Sequence, residues 1–457
     1  MSSKVVILGA RESGLGAALL AKAKGYNTFV SDYGSILPAY KAELEAAGIK
    51  WEEKQHSLDE IMEAQLVVKS PGIPEKAPII GLIRKAGISL ISEIEFATRY
   101  VEGKMIAITG SNGKTTTTDL CGEIMKAAEL NAMVGGNIGT ALSRQVAAGG
   151  AENYVVELSS FQLDDIIDFK PQVAVLLNVT PDHLDRYNYS LNEYGEAKFN
   201  IVRNQKAEDH FVYCSDDPWT NMRVQKAELN SKNYAFGLNY SADKAAWLDR
   251  EKGCICFRFE GGGKAFDFSV ATEQMQLKGE HNFYNAMAAG ISCLLLGANE
   301  NAVQTTLEQY RAPQHRMEEL QEVNEVLFIN DSKATNIVSV HYALKAMTRP
   351  IVWIVGGTDK GNDYSQLEAE VMQKVSAIVC LGIDNSKLMG AFADKKSCVE
   401  TKDMNEAVKI AADLAKPGDV VLLSPACASF DLFQNYEDRG RKFKEAVERL
   451  SEKNNAA

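Results

Sequence analysis

Short apolar runs punctuate the first 95 residues. Val5 to Leu8 and Thr28 to Val30 flank a helix-compatible stretch from Gly16 to Lys24, and this rhythm predicts β-α-β winding. The pattern restarts at Met105 to Thr109, a buried-strand run followed by a glycine-containing loop and a helical stretch from Thr115 to Ala128. Tyr154 to Leu158 and Val173 to Leu177 are core strands of the same kind. Between Ala245 and Ala271 the period changes to two. Ile255, Phe257 and Phe259 precede Gly261-Gly262-Gly263, and Phe266, Phe268 and Val270 follow it, so a β-hairpin insertion is expected. From Ala312-Pro313 onward, the runs Val326 to Ile329, Ile351 to Val355, Ala377 to Leu381 and Val420 to Leu423 alternate with helical segments, which predicts a third parallel α/β unit. Phe443, Val447 and Leu450 stand at the spacing of an amphipathic helix. The expected domains are 1–95, 96–312 and 313–457.

A chain of 457 residues agrees with that division, at about 150 residues per domain. Its 46% hydrophobic and 24% charged residues are those of an ordinary folded protein, and no run approaches a membrane span. The formal charge of −12 argues against a nucleic-acid binder, which needs clustered Lys and Arg, so an anionic ligand must be held by local groups. Of eight cysteines only Cys254 and Cys256 are close, and no CxxC spacing suggests a zinc site. Their scatter fits a reducing cytoplasm.

The strongest chemical signal is Gly110-Ser111-Asn112-Gly113-Lys114-Thr115, between an expected strand and an expected helix. In such a loop backbone N–H groups cradle phosphates, Lys114 reaches the outer phosphates and the Thr115 hydroxyl can hold Mg²⁺. A carboxylate on a neighbouring strand end usually completes a phosphate-bound magnesium site. Glu157, at the end of Tyr154-Val155-Val156, is the candidate by position, an exposed strand-end glutamate being the alternative. His183, between Asp182 and Asp185, reads by itself first as a surface loop histidine, with a metal ligand or a base as the alternatives.

At the N-terminus, Gly9 to Gly16 resembles a dinucleotide fingerprint, but Arg11 takes the place of the glycine that lets backbone approach a pyrophosphate, which disfavours NAD. Asp32, ending the second strand, stands where an acid commonly meets a ribose or base. Arg316, Asp331, Lys333, Lys360 and Ser429 fall in loops beside expected strands, where open α/β sheets bind ligands. Spacing alone does not bring them into one pocket.

Taken in order, IAITGSNGKTTT (106–117), NVTPDHLDRY (178–187), GEHNFYN (279–285), His315-Arg316-Met317, NDSKATN (330–336), GGTDKG (356–361) and LSPACASFDLFQNYEDRG (423–440) resemble the Mur ligase family over nearly the whole chain, its D-glutamate-adding members in particular. The resemblance implies an α/β fold of three domains: an N-terminal Rossmann-like one for a UDP group, a central P-loop ATPase-like one with a β insertion, and a C-terminal Rossmann-like one for the amino acid. It implies an ATP-dependent ligase that phosphorylates the L-alanyl carboxylate of UDP-N-acetylmuramoyl-L-alanine and lets the amine of D-glutamate displace the phosphate. By the same resemblance Gly110, Ser111, Asn112, Gly113, Lys114, Thr115, Thr116, Asn282, Asn285, Arg316 and Asp331 bind ATP, with Asn285 and Asp331 at its adenosine part. Thr115 and Glu157 hold one Mg²⁺, while His183 and Lys198, carbamylated in the family, hold a second. The catalytic set is Lys114, Glu157, His183 and Lys198. Ser13, Asp32, Gly72 and Asn137 meet the UDP substrate; Lys333, Thr335, Lys360, Ser429 and Tyr436 meet D-glutamate. Read from its residues alone, Lys198 is a surface helix lysine.

The expected protein is therefore a cytoplasmic, monomeric enzyme of peptidoglycan precursor synthesis that binds neither nucleic acid nor membrane. A sister Mur ligase or a folylpolyglutamate synthase would keep the ATP loop and change the amino acid or acceptor, but the DNPR motif of the diamino-acid-adding relatives is absent. A non-catalytic nucleotide-binding regulator is the alternative of another class, against which Lys114, Glu157, His183 and Lys198 weigh. No NKxD motif supports a signalling GTPase.

Overall fold

The computed structural model describes residues 3–311, 315–359 and 361–455. Among these, apolar runs become the strands of three sheets. The first contains β1 (Lys4–Leu8), β2 (Asn27–Asp32), β3 (Lys50–Glu53), β4 (Leu66–Lys69) and β5 (Ser89–Ser92), all parallel, in the order β3-β2-β1-β4-β5. Val5 to Leu8 are fully buried because helices cover both faces of the central strand. The helix expected from Gly16 begins earlier, at Glu12, and runs to Ala23.

The second sheet is built from β6 (Lys104–Thr109), β7 (Ala132–Gly136), β8 (Asn153–Glu157), β9 (Val173–Leu176), β10 (His210–Cys214), β11 (Lys232–Gly237), β12 (Lys244–Asp249), β13 (Cys254–Gly261) and β14 (Lys264–Ala271). Its order is β14-β13-β12-β11-β10-β9-β6-β8-β7. The hairpin falls on the expected residues, and it continues this sheet antiparallel from β12. Gly261 pairs with Lys264, leaving Gly262-Gly263 as a two-residue loop with φ of 58° and 79°. Only glycine, or less readily Asn or Asp, takes two positive φ angles in succession at little cost, and such a turn matches the twist of the strands it joins.

The third sheet has β15 (Glu318–Val323), β16 (Val326–Asn330), β17 (Ile351–Val355), β18 (Val375–Leu381), β19 (Ser397–Thr401) and β20 (Val420–Leu423), ordered β15-β16-β20-β17-β18-β19 and parallel except at β15. The helix Tyr436–Asn455 lays Phe443 and Val447 into its core, with Leu450 partly buried beside them. The chain forms two compact units. One runs to Gln276 and includes Glu280–Tyr310, so it carries the first two sheets; the other holds Leu277–Gly279 and the chain from Arg311. No helix among the described residues is long and apolar enough to cross a membrane.

Inside the first unit, Glu93 is 1% exposed. One of its oxygens accepts the Ser143 N–H at 2.7 Å and the Ser143 hydroxyl, while the other has no hydrogen-bond partner among the described residues. Burial pushes its pKa up to about 7, with the Ser143 donors working against the rise. A carboxyl raised in the folded state stabilises the fold fully below its unfolded pKa, near 4.5, and loses that contribution as pH rises through about 7. The first unit of wild type should therefore lose up to roughly 3 kcal/mol between pH 4.5 and 7 relative to Glu93→Gln. Urea melts of both proteins at several pH values check this; parallel pH dependences would refute it.

Candidate active site

The phosphate loop joins β6 to the helix Lys114–Ala127, so the helix N-terminus points its free N–H groups at whatever the loop holds. Gly113 takes φ 85°, and a Cβ there would lie 2.3 Å from the Asn285 side-chain oxygen. The loop is moored to the segment after β9. The Asn178 carbonyl accepts the Ser111 N–H at 2.9 Å, the Asn178 side-chain oxygen accepts the Asn112 N–H at 2.9 Å, and the Ser111 hydroxyl donates to the Thr180 carbonyl at 2.8 Å. Gly113→Ala would combine strain with a collision. It is expected to weaken ADP binding at least tenfold, on the order of the 1–3 kcal/mol that overpacking costs, and calorimetric titration would show it.

Glu157 ends β8 and is 2% exposed. Its oxygens accept the Thr115 hydroxyl at 2.7 Å and the Asn137 side-chain amide at 2.9 Å. Both donors are neutral side chains. Asn137, expected at the UDP substrate, thus stands on Glu157. Asn285 accepts a hydrogen bond from the Thr117 hydroxyl at 3.3 Å and donates to Asn282 at 3.3 Å, which sets Asn285 against Gly113 and the first turn of the following helix, with Asn282 behind it.

Lys198 lies on the helix Leu191–Phe199 and is 2% exposed. Its Nζ donates to the Gly110 carbonyl at 2.9 Å, the same carbonyl that accepts from Lys114 Nζ at 2.7 Å, and it sits 4.4 Å from the Tyr194 ring centroid. Burial and then the neighbouring Lys114 charge push its pKa well below that of an ordinary lysine, toward the neutral amine. His183, in a left-handed conformation with φ 52°, meets the Phe161 ring edge-on at 5.3 Å. Sequence reasoning missed Tyr194 and Asn178. Tyr194 at one helical turn from Lys198 is a signal that the lysine's face points inward.

In the first sheet, both oxygens of Asp32 accept backbone N–H groups, from Ala10 and Gly34, each at 2.7 Å. The carboxylate therefore shapes the turn after β1. Ser13 lies on the first helix and Gly72 in the turn after β4, with open space where its Cβ would be.

In the second unit Asp331, Lys333 and Thr335 follow β16, and Ser429 follows β20. Asp331 follows β16, accepts from the Ser424 hydroxyl at 2.9 Å and the Met317 N–H at 3.2 Å, and burial pushes its pKa up to about 7. Lys333 Nζ lies 3.8 Å from the Tyr436 ring centroid. Ser429 is buried and Thr335 half-buried. Lys360 lies outside the described residues. Arg439, which sequence reasoning did not single out, is 1% exposed and ties these loops together. It donates to the Ser332 hydroxyl and carbonyl at 3.0 and 2.8 Å and to the Cys427 carbonyl at 3.1 and 3.2 Å.

Residues 108–293 match the family model of the Mur ligase middle domain and residues 315–427 that of the Mur ligase glutamate ligase domain. The chain is 49% identical to the UDP-N-acetylmuramoylalanine–D-glutamate ligase of Cytophaga hutchinsonii over 99% of its length and 100% of that protein's. Proteins of the same name from Christiangramia forsetii and Bacteroides fragilis are 46% and 47% identical, each over 98% of this chain and all of the relative. Among solved structures, UDP-N-acetylmuramate-alanine ligase from Thermotoga maritima shares the fold with a TM-score of 0.61 at 20% identity, covering 98% of this chain and 99% of that one. A pseudomurein peptide ligase type C from Methanothermus fervidus gives 0.62 at 19%, covering 98% and 100%. The MurF ligase of Thermotoga maritima, solved with ADP, gives 0.57 at 19%, covering 87% and 92%. With full-length relatives of this similarity and both family models matched in order, the chain belongs to the Mur ligase family.

Proposed function

We propose that this enzyme joins D-glutamate to UDP-N-acetylmuramoyl-L-alanine with conversion of ATP to ADP and phosphate, a cytoplasmic step of peptidoglycan precursor synthesis that serves cell-wall growth, shape and division. The observation that carries the chemistry is the phosphate loop with a buried carboxylate on one side and a buried lysine behind it. The choice of amino acid rests on the full-length relatives and the sequence motifs.

A carboxylate is a poor acyl donor, and phosphorylation gives it a leaving group that an amine can expel. In the first step a carboxylate oxygen of the L-alanyl group bonds to the γ-phosphorus and the bond to ADP breaks. In the second the D-glutamate nitrogen bonds to the acyl carbon, giving a tetrahedral intermediate that releases phosphate, and the nitrogen loses a proton. Catalysis is then mostly positioning and charge neutralisation. Lys114 and Arg316 neutralise the transferring phosphoryl group. Asn282, Asn285 and Asp331 hold ATP; Lys333, Thr335, Lys360, Ser429 and Tyr436 hold D-glutamate; Ser13, Asp32, Gly72 and Asn137 serve the UDP substrate. Domain 1–95 would serve chiefly the UDP substrate, 96–312 chiefly ATP and 313–457 chiefly D-glutamate, with Asn137, Arg316 and Asp331 reaching from a neighbouring domain's range.

The residues fit magnesium. Glu157 is a buried carboxylate met by neutral donors, and Thr115 supplies a hydroxyl at its edge. Among the described residues no three His, Cys, Asp or Glu side chains cluster to complete a metal site by themselves. Mg²⁺ takes substrate phosphates and water as well as one or two protein ligands. Thr115 and Glu157 would hold one ion, His183 and Lys198 a second. Lys198 would do so as a carbamate, formed when its neutral amine bonds to the carbon of CO₂ and sheds a proton. Bound magnesium supplies charge neutralisation at the phosphates.

Phosphate release with ATP, Mg²⁺ and UDP-N-acetylmuramoyl-L-alanine should depend on D-glutamate and fail with L-glutamate, L-alanine, lysine or diaminopimelate. Release with another of these would move the protein to a sister activity, and no release with any would overturn the ligase reading.

A further inference from the structure

Lys69 is the last residue of β4, immediately before Ser70, Pro71 and the Gly72 assigned above to the UDP substrate. Its side chain is 5% exposed, and its Nζ lies 2.6 Å from a carboxylate oxygen of Asp165, which is 6% exposed. Asp165 belongs to the second sheet's part of the same unit, just past the short helix Ser160–Leu163 that follows Glu157. Two further ties hold the same segment to the first sheet. The Asp165 carbonyl accepts the Ser92 N–H at 3.1 Å, and one oxygen of the fully buried Glu95 accepts the N–H groups of Ile167, Asp168 and Phe169 at 2.9, 3.0 and 2.8 Å. The neighbouring Asp164 accepts the Tyr187 hydroxyl at 3.0 Å, and Tyr187 stacks on the Phe161 ring that also meets His183.

A buried ion pair is a weak source of stability, because desolvation of both ions offsets their attraction. It does fix one geometry, since a slip separates the only two members of the network that are both buried and leaves Lys69 to Glu75, at 3.2 Å, and Asp165 to Arg84, at 3.1 Å. Glu75 and Arg84, the outer members of this network, are each more than half exposed and can yield; the Lys69–Asp165 contact cannot.

We propose that Lys69 is a positioning residue that, through Asp165, sets the loop receiving the UDP substrate at a fixed distance from the Glu157 side of the phosphate loop. This rests on the function proposed above. Binding of the UDP substrate then depends on Lys69, while binding of ATP does not.

The test is steady-state phosphate release by the full chain. Lys69→Met should raise KM for UDP-N-acetylmuramoyl-L-alanine about tenfold, an effect of the size expected from sub-ångström misplacement, and leave KM for ATP within about twofold. Lys69→Arg should recover most of the difference. Lys69→Met with Asp165→Leu removes the carboxylate that the single variant leaves to Arg84 alone, so it should regain part of the thermal stability lost in the single variant yet keep the raised KM. The double variant also supplies a folded protein if the single one does not fold. A KM for the UDP substrate within twofold of wild type in either variant would overturn the inference and leave the pair as charge neutralisation only. Wild type inactive on this substrate would instead overturn the functional reading, and the inference with it.

Discussion

Lys198→Ala should lower the rate of phosphate release by about 10²- to 10³-fold, the effect of deleting one group that stabilises charge at a reacting phosphoryl centre. Acetate or formate at millimolar concentration should restore part of the loss. The reason lies in what surrounds the amine. A lysine 2% exposed, sharing the Gly110 carbonyl with a second lysine, cannot keep its own proton easily, and a neutral amine is the form that takes up CO₂. Truncation empties that space, and a small carboxylate can enter it and return the anionic oxygens a carbamate would have supplied. Lys198→Arg remains cationic and should be neither active nor rescued. Full activity of Lys198→Ala, or equal rescue by chloride, would remove the carbamate from the mechanism.

Arg439→Ala should destabilise the second unit by about 3–5 kcal/mol, the size expected when several buried acceptors lose their shared donor. The guanidinium is the common partner of the Ser332 and Cys427 carbonyls, and it also donates to the Gly356 carbonyl at 3.4 Å. Deleting it strands these acceptors at about 1–3 kcal/mol each where water cannot replace it. Arg439→Lys should recover little, because an ammonium lacks the planar fork that reaches separate loops at once. Urea melts followed by tryptophan fluorescence would report the change, since Trp353 is buried in the same unit and donates to the Ser424 carbonyl at 2.7 Å. A loss below about 1 kcal/mol would mean that the loops hold their shape without the arginine.

Continuous apolar runs such as Ile351 to Val355 were legible as strands because burial on both faces leaves no polar alternation to confuse. Ala132–Gly136 and the edge strand Glu318–Val323 were not, because their side chains are partly exposed and their pairing is a tertiary fact. The phosphate loop was readable since its backbone needs glycine where Gly113 stands. Lys198 and Arg439 sit in segments crowded with Glu, Lys and Arg, which look like solvated helix faces; beyond the hint from Tyr194, the partners that hold them inward, Gly110 for Lys198 and Ser332 for Arg439, lie far away in sequence. Likewise Asp32 had the right position for a ligand contact, while its hydrogen bonds to Ala10 and Gly34 depend on how the chain returns between β1 and β2.

In the third sheet β20 lies between β16 and β17, so the strand made last is the one that occupies the middle. During synthesis β16 and β17 therefore leave the ribosome with no partner for their facing edges, and they cannot pair with each other without excluding Val420–Leu423 from its place. Each open edge is a template for another chain until that strand arrives. The second unit should thus acquire its protease resistance late and in one step. Nascent chains halted before β20 should be the species that chaperones bind and that aggregates most readily.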